Sequence, residues 1–193
     1  MNSPTFHSYT AVMVKIIKHF SEIAHSYKAI LCDLWGCIHN GKQSFKEGLD
    51  VLYNFRKSGG QVILLTNAPR PSDTVIMFLN ELGINKDFYD AIVTSGDATQ
   101  MNLKSGRFGR KLYHIGPTRD LSFFDFLTNY DDDIQPSKLV PMIEASCIVC
   151  TGLFNDQIER PSDYGEIIKK GVSRKLPLLC ANPDIQVDFG NQR

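Results

Sequence analysis

The chain has 193 residues, 42% of them hydrophobic, and its 21 basic residues are matched by 21 acidic ones. That length and apolar content exclude a disordered chain and suit one large domain or two small ones. A formal net charge of zero gives no general attraction to nucleic acid or an anionic membrane, so neither is expected as a partner and a small-molecule ligand is favoured.

Residues 1–12 read as a flexible N-terminus, with Met13 as a second candidate start. Over 11–24 the positions Val14, Ile17, Phe20 and Ala24 recur at helical spacing, which predicts an amphipathic helix. Ala29 to Cys32 is a short apolar run that stops at Asp33 and is followed by Gly36 and Asn40-Gly41, the pattern of a buried strand ending in an acidic loop. In open α/β sheets the ligand crevice lies outside the carboxyl ends of the strands. A carboxylate there can bind a hard cation or act as a nucleophile.

A helix entered at 45–48 places Leu49, Leu52 and Phe55 on one side and stops at Ser58-Gly59-Gly60. The next strand, 61–65, completes a strand, helix, strand unit. Its right-handed crossover would bring Thr66-Asn67 beside Asp33 at one sheet edge. A helix over 71–83 turns Val75, Phe78, Leu79 and Leu82 inward, and 91–96 is a third strand. Asp97 to Leu103 is a further helix, and the glycines and arginines of 106–110 read as a linker, giving a domain boundary near residue 100.

The pattern then repeats on a smaller scale: strand 111–115, helix 121–127, strand 147–151, helix 164–171, strand 176–180. Asp131-Asp132-Asp133 reads as solvated surface. Cys32, Cys37, Cys147, Cys150 and Cys180 lie mostly in apolar runs, as reduced thiols of a cytoplasmic protein do. Cys147 and Cys150 have C-x-x-C spacing, but a strand sends them to opposite faces and no second pair follows, which argues against zinc. No apolar run approaches the roughly 20 residues of a membrane span. No G-x-G-x-x-G follows Cys32, which disfavours a Rossmann-type nucleotide binder.

Asp33 to Gly41 resembles the first motif of the haloacid dehalogenase superfamily, Asp-x-Asp-Gly-(Thr/Val)-(Leu/Ile/Val), and in particular its NagD-like class IIA branch. Asp33, Gly36, Ile38 and Gly41 fit, while Trp35 stands in place of the second Asp. Leu64 to Arg70 looks like the second motif in its Thr-Asn form, and Ala181-Asn182-Pro183-Asp184 matches the (Thr/Ala)-Asn-Pro-Asp turn of the branch's cap. The resemblance implies an α/β fold: the front half of a Rossmannoid parallel sheet over 13–100 and an inserted α/β cap over 101–193. It also implies a Mg²⁺-dependent phosphatase of small phosphorylated metabolites that works through an aspartyl-phosphate. Asp33 would be the nucleophile and would hold Mg²⁺ with the Trp35 backbone carbonyl. Thr66 and Asn67 would hold the phosphoryl group, and Asn182 and Asp184 would face the substrate. Arg119 and Arg160 are further candidates for an anionic substrate, and a homo-oligomer stays open.

The superfamily completes its site with a Lys and an acidic pair beyond the cap. Lys169, Lys170 and Lys175 lie within the cap pattern and are not matched to that Lys, so the chain is expected to carry only the front half of a core. An indole cannot perform the acid–base role of the second Asp, so impaired turnover is expected. The alternative is a non-catalytic phosphometabolite-binding or regulatory module. A half sheet is also expected to leave an apolar row near Ile30, Ile63 and Ile92 uncovered.

Overall fold

The computed structural model describes residues 16–127, 137–155 and 157–184. A short helix, α1 (Ser21–Ala24), leads into strand β1 (Ala29–Asp33). Helix α2 (Lys46–Lys57), strand β2 (Gln61–Thr66), helix α3 (Ser72–Glu81), strand β3 (Ala91–Thr94) and helix α4 (Ser95–Lys104) follow. The three strands form one parallel sheet in the order β1-β2-β3.

One face of this sheet is the core. Val62 and Leu64 are fully buried on it, α2 adds Leu49, Leu52 and Phe55, and α3 adds Val75 and Leu79. The other face is open: Leu31, Leu65 and Val93 remain 68%, 47% and 45% exposed. The uncovered row therefore keeps Ile63 from the expected set but not Ile30 or Ile92. Side chains alternate along a strand, and Ile30 and Ile92 share the inward face with Val62 and Leu64, while Leu31 pairs with Ile63 and Leu65 with Val93 on the outer face.

Three local expectations also shift. The helix foreseen over 11–24 is helical only at Ser21–Ala24 among the described residues, although Phe20 and Ala24 do pack on the core. Helix α4 starts at Ser95, two residues early, because the Thr94 hydroxyl accepts from the Asp97 amide at 2.9 Å and caps it. The helix foreseen at 121–127 is a 3-10 helix, Thr118–Leu127, whose buried Asp120, Phe123 and Phe126 recur every third residue as that geometry requires.

The second half holds strands β4 (Lys111–Ile115), β5 (Lys138–Leu139), β6 (Cys147–Cys150) and β7 (Leu178–Cys180), all parallel, in the order β5-β4-β6-β7. A 3-10 turn (Pro161–Tyr164) runs into helix α5 (Gly165–Ser173), which precedes β7. Cys147 and Val149 pack with Phe123, Phe124 and Phe126 on one side of this sheet, and Ile148 with Ile115 and Tyr164 on the other. Asp131 to Asp133 lie outside the described residues, as do residues 1–15. Among the described residues no helix is long and apolar enough to cross a membrane.

Candidate active site at the carboxyl ends of the first sheet

Asp33 is the last residue of β1 and is exposed. Its Oδ1 accepts from the Leu34 amide at 2.7 Å, which fixes the carboxylate at the strand end. Beyond it the chain turns tightly: the Gly36 amide donates to the His39 carbonyl at 2.8 Å and the Ile38 amide to the Leu34 carbonyl at 3.0 Å. Gly36 at φ +76° and Gly41 at φ +82° occupy the left-handed region that side chains resist.

The Trp35 indole folds back onto this turn. It lies so close over Gly41 that a Cβ there would sit 2.5 Å from the ring, and it meets His39 edge-on at 5.5 Å. His39 is only 3% exposed and its Nδ1 accepts from the Gly41 amide at 3.0 Å, which leaves the ring proton on Nε2. Burial lowers the His39 pKa, and the nearby Asp33 charge opposes that shift. Sequence reasoning missed this histidine, because a lone His in a polar turn carries no periodic signal of burial.

Thr66 ends β2 one residue beyond Leu65, the partner of Asp33. Its Oγ1 accepts from the Ala68 amide at 3.2 Å, so its hydroxyl hydrogen is left to donate. Thr94, at the end of β3, is the register partner of Thr66 and was not singled out from the sequence. The Asn67 amide donates to the Asp184 carboxylate at 2.5 Å, joining the loop after β2 to the turn after β7. Within that turn the Asn182 side-chain oxygen accepts from the Asp184 amide at 3.0 Å, an Asx turn that Asn-Pro-Asp favours. Five predicted residues thus fall into two groups. Asp33 and Thr66 stand on adjacent strand ends, and Asn67, Asp184 and Asn182 form a chain of contacts between the halves. Arg160 takes no part in either group and caps the 3-10 turn at 161–164.

The loop carrying Thr66 is held from behind. Gly96 donates its amide to the Ala68 carbonyl at 3.1 Å, and the Ser72 amide donates to the Asp97 carboxylate at 3.0 Å. A Cβ at Gly96 would lie 2.3 Å from the Arg70 carbonyl oxygen, so glycine alone permits this approach.

As a cation site, the first turn offers the Asp33 carboxylate and the Trp35 carbonyl, which accepts no hydrogen bond among the described residues. Two oxygens match a small hard cation that keeps most of its waters, as Mg²⁺ does, better than one that needs a full protein cage. Among the described residues no three His, Cys, Asp or Glu side chains cluster to hold a metal by themselves. The thiols are no substitute: burial pushes Cys32, Cys147 and Cys150 up to about 11, which keeps them protonated at neutral pH.

Known proteins share both the fold and part of the sequence. The family model for haloacid dehalogenase-like hydrolases matches residues 30–128, just over half of the chain. A hydrolase of the haloacid dehalogenase-like family from Brucella suis 1330 is 39% identical, with a TM-score of 0.81 over 92% of this chain and 64% of its own. The glycerol phosphate phosphatase of Mycobacterium tuberculosis, solved with magnesium, is 21% identical with a TM-score of 0.58, over 84% of this chain and 46% of its own. NagD from E. coli K-12 is 20% identical with a TM-score of 0.52, over 81% of this chain and 57% of its own. The chain therefore spans about two-thirds or less of the length of these proteins. No curated protein matches the sequence. The matched segment runs from β1 through the Thr66 loop to the 3-10 helix at 118–127, and it places this chain in the family of haloacid dehalogenase-like hydrolases.

Proposed function

We propose that the chain is the front half and cap of a phosphatase core acting on small phosphorylated metabolites in the cytoplasm, with the first unit over 13–100 and the cap over 101–193. The reading is supported chiefly by one observation: a carboxylate and a hydroxyl, Asp33 and Thr66, end neighbouring parallel strands. The carboxylate oxygen of Asp33 not engaged by Leu34 attacks phosphorus and forms an aspartyl-phosphate as the leaving oxygen departs, and water then hydrolyses that acyl phosphate to free phosphate and the Asp33 carboxylate. The Thr66 hydroxyl donates to a phosphoryl oxygen without adding charge. Asn67 and Asp184 join the cap turn to the phosphoryl loop, and Asn182 shapes that turn. A Mg²⁺ ion on Asp33 and the Trp35 carbonyl would supply the positive charge that phosphoryl transfer needs.

Trp35 sets the limit of this chemistry. Its indole N–H is far too weak an acid to protonate a leaving oxygen and the ring is packed on Gly41, so the leaving oxygen goes without assistance. Esters with good leaving groups, such as p-nitrophenyl phosphate, then turn over faster than alkyl phosphates. The test is phosphate release from p-nitrophenyl phosphate with and without Mg²⁺. Release that requires the metal and disappears in Asp33→Asn supports the reading, whereas release that survives the substitution sinks the nucleophile assignment.

The packed Trp35 also favours a second reading, a module that binds phosphorylated metabolites and hydrolyses none. Calorimetric titration showing binding, alongside a phosphate-release assay showing no product, would select it.

A further inference from the structure

A cavity of about 230 Å³ lies between the loop after β2 and the 3-10 helix at 118–127, lined by Arg70, Thr74, Arg119, Asp120, Ser122 and Phe123. Pro69, also on its wall, is three residues beyond Thr66, so at most about 11 Å of backbone separates the two. The cavity is thus continuous in the chain with the phosphoryl-holding loop. Its volume equals roughly seven or eight waters at ~30 Å³ each, room for the organic part of a small metabolite.

The polar groups on its wall are of two kinds. Asp120 is 7% exposed, and its carboxylate accepts no hydrogen bond among the described residues although its field reaches His114. Its oxygens are not sealed from water, so a hydroxyl entering the cavity can donate to them. Arg70 is an exposed guanidinium, a planar fork suited to a carboxylate, and its backbone is pinned against Gly96. Arg119 adds a second positive charge at the wall. A ligand that satisfies both kinds carries an acid for the arginine and a hydroxyl for the aspartate, while Phe123 and the prolines pack on its carbon skeleton.

We infer that this cavity binds the organic half of a phosphorylated hydroxy acid, with Arg70 on the carboxylate and Asp120 accepting from the hydroxyl. The inference rests on the phosphoryl site proposed above and names its substrate class. It makes Arg70 and Asp120 specificity-determining residues beyond the motif positions.

The test is calorimetric titration of the whole chain, in the presence of Mg²⁺, with three probes. Inorganic phosphate reports on the phosphoryl site alone, and its binding should weaken in Thr66→Val. 3-Phosphoglycerate and glycerol 3-phosphate share a three-carbon skeleton and differ in the carboxylate. We expect the acid to bind about tenfold tighter, the scale of one charge-assisted pair. Arg70→Gln should erase that preference and leave glycerol 3-phosphate within about twofold, Arg70→Lys should restore part of it, and Asp120→Asn should weaken both glycerol-based probes while sparing inorganic phosphate. Phosphate binding with no preference for the acid would overturn the cavity assignment and leave the phosphoryl site standing. A preference that survives Arg70→Gln would overturn the role of Arg70. Failure of all three probes to bind would overturn both the cavity assignment and the phosphoryl site beneath it.

Discussion

The Asn67 amide and the Asp184 carboxylate meet at 2.5 Å across 117 residues of sequence, and so tie the loop that ends β2 to the turn that ends β7. Both groups are exposed, so the bond adds only modestly to stability, about 0.5–1 kcal/mol. A double-mutant cycle with Asn67→Ala and Asp184→Ala, read by urea unfolding, should return a coupling of that size. Additive effects would show that the two halves are held by other contacts.

Gly96→Ala is expected to act at a distance. The added methyl meets Arg70 backbone atoms at 2.3–2.9 Å, and backbone does not yield as a flexible side chain does. The loop from Ala68 to Ser72 must shift, at a cost of about 1–3 kcal/mol by analogy with overpacked cores. Stability by denaturant titration should fall, and inorganic phosphate binding should weaken although no ligand contact is altered. Gly165→Ala, where the new methyl meets nothing within 4 Å and the backbone is already helical, is the control: it should leave phosphate binding unchanged and raise stability slightly.

Trp35→Asp tests the missing acid. The variant loses the packing of the indole on Gly41 and His39, so a drop of about 1–3 kcal/mol in unfolding free energy is expected. Phosphate release from an alkyl phosphate should nevertheless rise relative to p-nitrophenyl phosphate, because only the former needs a protonated leaving group. An unchanged ratio of the two rates would place the limit elsewhere than at residue 35.

A pH dependence follows from His114. Burial lowers its pKa from the usual 6.5, with Asp120 partly opposing, and its Nε2 lies 2.9 Å from the Thr151 hydroxyl. The folded state disfavours the charged ring, so as pH falls through 6.5 the unfolded chain takes up protons that the folded chain refuses. Stability should therefore be full above that pH and decline below it. Urea midpoints between pH 7.5 and 5.5 should show the decline, and His114→Gln should make it shallower, with the buried His39 supplying the remainder. A midpoint that rises on acidification would contradict the assignment.

The elements that order the first sheet were legible because their signals are local. Apolar runs stop at Asp33 and Thr66, Ser58-Gly59-Gly60 ends α2, and one crossover length fixes the neighbourhood of the strand ends. What was not legible depends on packing between distant segments. Asp120 reads as one more charge in a loop until Phe123 and Phe126 turn it inward on a threefold period. Gly96 reads as the tail of a strand until Arg70 is laid against it. The open sheet face was foreseen, but which side chains line it depends on a parity that one residue of register reverses, and Leu31 and Val93 took the places expected of Ile30 and Ile92.

That open face has a thermodynamic consequence for the site. Leu31, Leu65 and Val93 lie on the same three strands that end in Asp33, Thr66 and Thr94. Whatever covers the face, whether further polypeptide or a second copy of the chain, binds the formed sheet and not the unfolded chain, and so stabilises it by mass action. By reciprocity, a ligand that favours the formed strand ends tightens the hold of the cover to the same degree, and the cover tightens the ligand. Where that cover is a second copy of the chain, an affinity measured on it would vary with protein concentration and would belong to the coupled pair of equilibria, not to the pocket by itself.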